Sequence, residues 1–329
     1  MSDKIVTRRA FLAGFAAIVG TAWPRHGDTQ TPAQMPRIGV SVIGSAPSDL
    51  ANAFREGMRG LGYVEGATVA IDVRYAEGRP ERLTAIMDAF VRSQVAVIVA
   101  GGGTAAARAA RAATPTIPIV TPAVGDAVGA RLATSLARPG GNLTGLSMVN
   151  TEIVAKRVEL LKTVAPRVSH VAVLWHSASD AMQLDHAAAA LRAIGARASI
   201  VRVDGRDFDA AFAQIRRDGA DAILVMAASM FNAHRTSLVE RAAAARVPAV
   251  WEGREYAELG GLIAYGPNLP AMWRHAATYV DKILRGAKPA DLPIEQATHF
   301  ELVLNLKTAR VLGLAIPPAL LVRADRLIE

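Results

Sequence analysis

VAVIVAGGGTAAARAA, residues 95–110, runs an unbroken apolar stretch into three glycines, a threonine and an alanine-rich segment. An apolar run without alternation is what a strand buried on both faces of a parallel sheet requires. The same order returns at ADAILVMAAS (220–229), and its flanks return with it. RIGVSVI (37–43) is answered by HVAVLWH (170–176), the segment from Leu61 through Arg74 by LRAIGARASIVRVDG (191–205), and TIPIVTPAV (116–124) by RVPAVWEGR (246–254). Gly62 pairs with Gly195, Ile98 with Leu224 and Pro118 with Pro248. Two copies of one βα series predict an α/β protein of two Rossmann-like lobes. Each lobe is expected to hold a parallel sheet with helices on both faces, because strand–crossover–strand units are right-handed.

Outward from these strands the pattern stays regular. RIGVSVIG (37–44) and TVAIDVRYA (68–76) read as strands, and Leu50, Phe54, Met58 and Leu61 give a helical stripe behind a Ser48 or Asp49 cap. Leu83, Ile86, Met87 and Phe90 give a second helix. Small residues after TIPIVTPAV suggest a helix running to Leu136, closed by ARPGGN (137–142), a turn that redirects the chain between lobes. GGLIAYGPN (260–268) reads as a strand, 269–286 as a helix, FELVLN (300–305) as a last strand and the remainder as short helical pieces.

The 329 residues are enough for two domains, and 51% of them are apolar, enough for a large core. There is no cysteine, which excludes disulfides, thiolate metal sites and a thiol nucleophile. The net charge of +8 is spread along the chain with acidic residues between the basic ones, not the footprint of a nucleic-acid binder.

Residues 1–33 read as an export signal: Lys4, Arg8 and Arg9, an apolar run from Phe11 to Trp23, then a Pro/Gly/Thr-rich stretch. The run is too short to span a bilayer, which needs about 20 residues. Thr7-Arg8-Arg9-Ala10-Phe11-Leu12 resembles the twin-arginine export motif. A periplasmic location follows, and removal of the segment leaves a charge of +6.

Export bears on the glycine loop, since an exported protein meets little ATP or NAD. The loop ends Gly103-Thr104-Ala105 where a P-loop needs lysine, and it lacks the third glycine of a dinucleotide fingerprint. No cofactor is expected. A helix N-terminus offers unpaired N–H groups and a partial positive charge, so Gly102, Gly103 and Thr104 suit a carboxylate or a neutral polar head. Alternatively the glycines only permit a tight strand–helix turn.

Several longer stretches carry a resemblance: LGYVEG (61–66), SLARPGGNLTGLS (135–147), KRVELL (156–161), GGLIAYGP (260–267), YVDKILRGAKPADLP (279–293) and residues 300–329. Over nearly all of the chain from about residue 36, it resembles the ABC-transporter substrate-binding protein family, in the branch with tryptophan/tyrosine-type members. The resemblance implies a type I periplasmic-binding-protein fold, with a hinge of about three crossings and a ligand clamped between lobes. It also implies an inner-membrane ABC permease as partner. Residues 36–147 plus 268–298 would form the N-terminal lobe, and 148–267 plus 299–329 the C-terminal lobe. Two positions depart from the family: Asp126-Ala127-Val128 stands where members often read Asp-Pro-Val, and Ala227-Ala228-Ser229 where many carry Asp-Pro. The ligand is therefore expected to differ from that of the best-known relatives.

Ligands of α/β sheets sit at the C-terminal ends of the strands. That places Ser45 and Ala46, Gly102 to Thr104, Ala123 to Asp126, His176 and Ser177, Ala228 and Ser229, and Glu252 with Arg254 around the cleft, with Tyr265 near the hinge. Asp126 either holds an ammonium or caps a helix. Glu252 or Glu255 is a second ammonium candidate, and Arg254 a partner for a second carboxylate. Trp175, Trp251 and Tyr265 are either stacking surfaces or core, and Trp273 is assigned to packing. The seven histidines lack metal-site spacing, and no G-x-S-x-G elbow exists. The expectation is a monomeric uptake protein for an aromatic or branched amino acid, or an aromatic acid. A ligand sensor for a membrane receptor is the alternative, and a hydrolase or isomerase a weaker one.

Overall fold

A computed structural model describes residues 35–148, 151–177, 179 and 181–329; residues 1–33, read above as an export signal, lie outside the described residues. The chain runs β1 (Arg37–Val42), α1 (Asp49–Gly60), β2 (Ala70–Tyr75), α2 (Arg82–Arg92), β3 (Val97–Ala100), α3 (Gly103–Ala113), β4 (Ile119–Val124) and β5 (Leu143–Ser147). It continues with α4 (Thr151–Val164), β6 (His170–His176), α5 (Met182–Ala193), β7 (Arg197–Val203), α6 (Phe208–Asp218), β8 (Ala222–Val225), α7 (Ser229–Ala233), α8 (Arg235–Ala245), β9 (Ala249–Trp251), α9 (Arg254–Glu258) and β10 (Ile263–Pro267). It closes with α10 (Leu269–Leu284), β11 (Glu295–Gln296), β12 (Phe300–Asn305), α11 (Leu306–Val311), α12 (Pro318–Arg323) and β13 (Arg326–Ile328).

Two sheets result. The first has the order β11-β5-β4-β3-β1-β2 and the second β13-β12-β10-β9-β8-β6-β7. The sequence repeat is visible in them, because β2-β1-β3-β4-β5 and β7-β6-β8-β9-β10 follow one order. The first sheet is parallel throughout. The second departs from the expected all-parallel sheet at one place, where β12 runs antiparallel to β10 with Phe300 opposite Pro267. The chain leaves β10 at Pro267 and re-enters the sheet beside that same point, so no crossover turns it round. The chain passes between the sheets three times: after β5, at Asn268, and between β11 and β12.

Local chemistry explains the main helices. Ser48 caps α1 by accepting the Ala51 N–H at 3.3 Å, and Phe54 and Met58 bury its apolar stripe. Asn268 caps α10 by accepting the Ala271 N–H at 2.8 Å, with Pro270 in the first turn. Asp207 caps α6, and Gly219, at φ +64°, closes it. The expected helix up to Leu136 is absent. Ala130 N–H reaches Asp126 C=O and Leu132 N–H reaches Ala127 C=O, but Arg131 sits at φ +57° and the turn stops there. The Asp126 carboxylate accepts the N–H groups of Val128 and Gly129 as a cap on this single turn, and the left-handed Arg131 ends it. The C-terminal tail, expected as helical pieces alone, adds the short strand β13 beside β12.

Helix α10 follows β10 of the second sheet yet covers the first. It packs on α1 so closely that a Cβ at Gly57 would run into the Arg274 carbonyl and lie 2.8 Å from Ala277 Cβ. Gly57→Ala is therefore expected to cost about 2 kcal/mol through overpacking. Gly60→Ala, on the same helix with open space around it, should be neutral or stabilising by up to about 1 kcal/mol. Denaturant midpoints of the two variants check the contrast.

Candidate functional site

The C-terminal ends of the strands in both sheets open on one cavity of about 660 Å³. From the first lobe, the half built on the six-stranded sheet, it is lined by Ser45, Ala46, Gly102, Gly103, Thr104 and Ala123. From the second come His176, Ala228, Ser229, Glu252 and Arg254. Three other sequence-selected positions, Asp126, Ser177 and Tyr265, are not among its lining residues. Asp126 is occupied by its own turn, and Ser177 donates its backbone N–H to Val203 C=O at 3.1 Å. Tyr265 lies 6.1 Å from Phe300, ring centre to ring centre, and its carbonyl accepts Arg157 Nε at 2.7 Å.

The glycine loop serves two purposes. Gly102 and Gly103 have φ of +135° and +66°, so the turn itself demands glycine. No side chain caps α3, which leaves its first N–H groups facing the cavity at Gly102–Thr104. Gly101 admits a different neighbour: the ring of Trp273 occupies the space its side chain would take, and Trp273 also lines the cavity. The packing role expected for Trp273 is therefore joined to a place in the wall. Trp175 and Trp251 belong to core clusters instead, Trp251 stacked on Tyr256 at 5.0 Å.

The opposite wall is acidic at its base. Glu252 is 7% exposed, and Tyr256 Oη donates to its Oε1 at 3.3 Å. Burial pushes its carboxyl up to about 7 and Glu255 adds to the rise, against the opposing pull of Arg157 and the Tyr256 and Ala228 hydrogen bonds. Gln183, 5% exposed, donates to Ala227 C=O at 3.4 Å, and its buried Oε1 meets no protein donor. Gln183, Asn232 and Arg235 line the cavity from helices rather than strand ends, and no strand-end rule selects them. Arg254 lies 3.8 Å from Glu301, an ion pair within the protein. His176 is buried with its Nε2 3.3 Å from Gly205 C=O, and burial lowers its pKa, which favours the neutral ring.

The lobes touch beside the cavity. Met230 of α7 joins the apolar cluster of the first lobe with Ile43, Leu83 and Ala106. A Cβ at Gly78 would run into His234, and one at Gly103 would lie 2.6 Å from Ser229 Oγ. Only the Ser229 hydroxyl occupies the space a side chain at Gly103 would take.

Among the described residues no group of three or more His, Cys, Asp or Glu is placed to hold a metal ion, and no helix is long and apolar enough to cross a membrane.

A family model described as ABC transporter substrate binding protein matches residues 37–328. A tyrosine-binding protein of Clostridioides difficile is 34% identical over 142 residues, 43% of this chain and 40% of that relative's length. Among solved structures, a Streptococcus pneumoniae ABC domain in complex with L-Trp aligns with TM-score 0.82 at 26% identity, covering 89% of this chain and 99% of the other. A conserved domain protein of Vibrio cholerae aligns with TM-score 0.82 at 30% identity, covering 89% and 100%.

Gly103 stands at φ +66°, where an L side chain is strained, and its Cβ would displace the Ser229 hydroxyl. Gly103→Ala is therefore expected to cost about 1–2 kcal/mol of stability. Adding Ser229→Ala should recover only the smaller part that comes from the hydroxyl contact; denaturant midpoints of the two variants check this.

Proposed function

The chain belongs to the ABC transporter substrate-binding protein family, and from that premise we propose that it captures an amino acid with an aromatic side chain between its lobes. The observation that carries this reading is the polarity of one cavity. An uncapped helix N-terminus at Gly102–Thr104, from the first lobe, and the Glu252 carboxyl, from the second, line the same cavity. The first suits a carboxylate. The second suits an ammonium, which offers N–H groups to the Glu252 carboxylate. Trp273, Met230 and the apolar parts of the wall are left for the ligand body. The L-Trp and tyrosine named for two relatives fit this division.

The mechanism is binding and release, not turnover. The three crossings between the sheets act as the hinge, with 36–147 plus 268–298 moving against 148–267 plus 299–329. Ligand favours the closed arrangement because it contacts both lobes at once. The closed protein then delivers its ligand to a membrane permease, in the periplasm, after export by the N-terminal signal.

Charge at Glu252 sets the pH response. In the ligand-free protein its carboxyl titrates at about 7, and an ammonium contact favours the ionised form. Affinity is therefore flat above pH 7 and falls up to tenfold per unit below it, with a proton released on binding in the acid range. Calorimetry of L-tryptophan and L-tyrosine in buffers of different ionisation heat measures both quantities. Glu252→Gln should cost about 2–4 kcal/mol of affinity at pH 8 and abolish the proton release. Equal binding of sugars, or of amino acids lacking the ammonium, would sink the reading.

A further inference from the structure

Arg157 and Glu252 are the only Lys, Arg, Asp or Glu side chains in the buried interior of the described residues, at 3% and 7% exposure. They arrive from different elements, Arg157 from α4 and Glu252 from the end of β9. The guanidinium is held by main chain. Its Nε donates to Tyr265 C=O at 2.7 Å, and its Nη2 donates to Glu252 C=O at 3.2 Å. These carbonyls sit on β10 and immediately after β9, neighbouring strands that close the second lobe at the crossings. Gly266 lets them come together: a Cβ there would run into the Glu252 carbonyl and lie 3.1 Å from Arg157 Nη2.

Arg157 and Glu252 also border a second cavity of about 10 Å³, with Met148, Ile153, Pro267 and Leu269. That volume is about one water. A charge so far from solvent is costly unless an opposite charge lies near it, and attraction across a water-sized gap in the interior is strong. Neither partner has another buried counter-ion.

We propose that Arg157 is the positioning residue of the ligand site: it touches no ligand, but holds Glu252 in the charged form that accepts the ligand ammonium. This rests on the reading of Glu252 given above. Every group facing the Glu252 carboxyl enters the balance. Arg157 on α4 and the Tyr256 hydroxyl and Ala228 N–H favour the carboxylate, and Glu255 on α9 opposes it. Arg254 and Arg235 in turn act on Glu255. Of these, Arg157 is the one full positive charge among the partners of Glu252. Without it the carboxyl keeps its proton to higher pH, and the site offers an ammonium a neutral acid.

The test reads the carboxyl directly in the ligand-free full chain, by ¹³C NMR titration of glutamate side chains, with Glu252→Gln identifying the resonance. Arg157→Gln keeps a donor for one carbonyl and removes the charge; it should move the Glu252 midpoint up by about one unit or more. Arg157→Lys restores a cation at that depth and should move it by clearly less. The proposal is overturned if the Gln variant titrates where the wild type does, or if the Lys variant shifts by a full unit or more. The latter outcome decides even where the Gln variant fails to fold. Calorimetry with L-tryptophan on the same proteins separates the two readings. If the carboxyl responds to Arg157 while L-tryptophan does not bind, the ligand class falls and the coupling stands. If L-tryptophan binds but the carboxyl ignores Arg157, the coupling falls alone.

Discussion

A guanidinium that cannot reach water must find its partners in the protein, and Arg157 finds them at the one place where the second lobe ends and the crossings begin. The pairing of β9 with β10 ends at Trp251 opposite Ala264, so the carbonyls of Glu252 and Tyr265, one residue further on, are available to a side-chain donor. Arg157 uses both and thereby ties α4 to β9 and β10. The same placement sets what lies above it: Glu252 follows β9 directly, so its carbonyl faces the arginine while its side chain reaches the cavity floor. Fold and site are joined through one residue whose backbone serves the first and whose carboxyl serves the second.

The division of labour between sheets and helices explains what could be read from sequence. Strands buried on both faces announce themselves, and HVAVLWH (170–176) and FELVLN (300–305) begin and end where their apolar runs do. The repeat of βα order survives as a repeat of strand order. Failures occur where a local competitor or a distant partner decides. Alanine and leucine after Gly125 favour helix and Asp126 caps a first turn, but Arg131 turns left-handed and the turn does not propagate. Strands β11 and β13 are two and three residues long, and only their neighbours β5 and β12 make them strands.

The site divides in the same way. Positions directly after strands, such as Gly102, Ser229 and Glu252, follow from the rule that α/β sheets bind ligands at their C-terminal ends. Gln183, Arg235 and Trp273 reach the cavity from helices, by packing between segments far apart in sequence. Nothing in their local spacing distinguishes them from surface or core residues. Arg157 is harder still, since its neighbours in KRVELL suggest an ordinary amphipathic helix. Only the arrival of β9 and β10 beside it shows that its charge is buried.

A polar cavity of this kind works against the stability of the empty protein. Glu252 titrates near 7 when folded and has an ordinary value of 4.5. Between those values the folded form binds a proton that the unfolded chain has released. The derivative of unfolding free energy with pH is then negative, so this group's effect on stability is lost ground as pH rises from 4.5 to 7, and constant beyond. The uncapped start of α3 adds unpaired N–H groups on the facing wall. On the proposed function both costs have the same remedy: a ligand ammonium would add a second cation to Arg157 at the Glu252 carboxylate, and a ligand carboxylate would cap α3. The residues that destabilise the ligand-free cleft would then be those that make closure depend on a ligand carrying both charges.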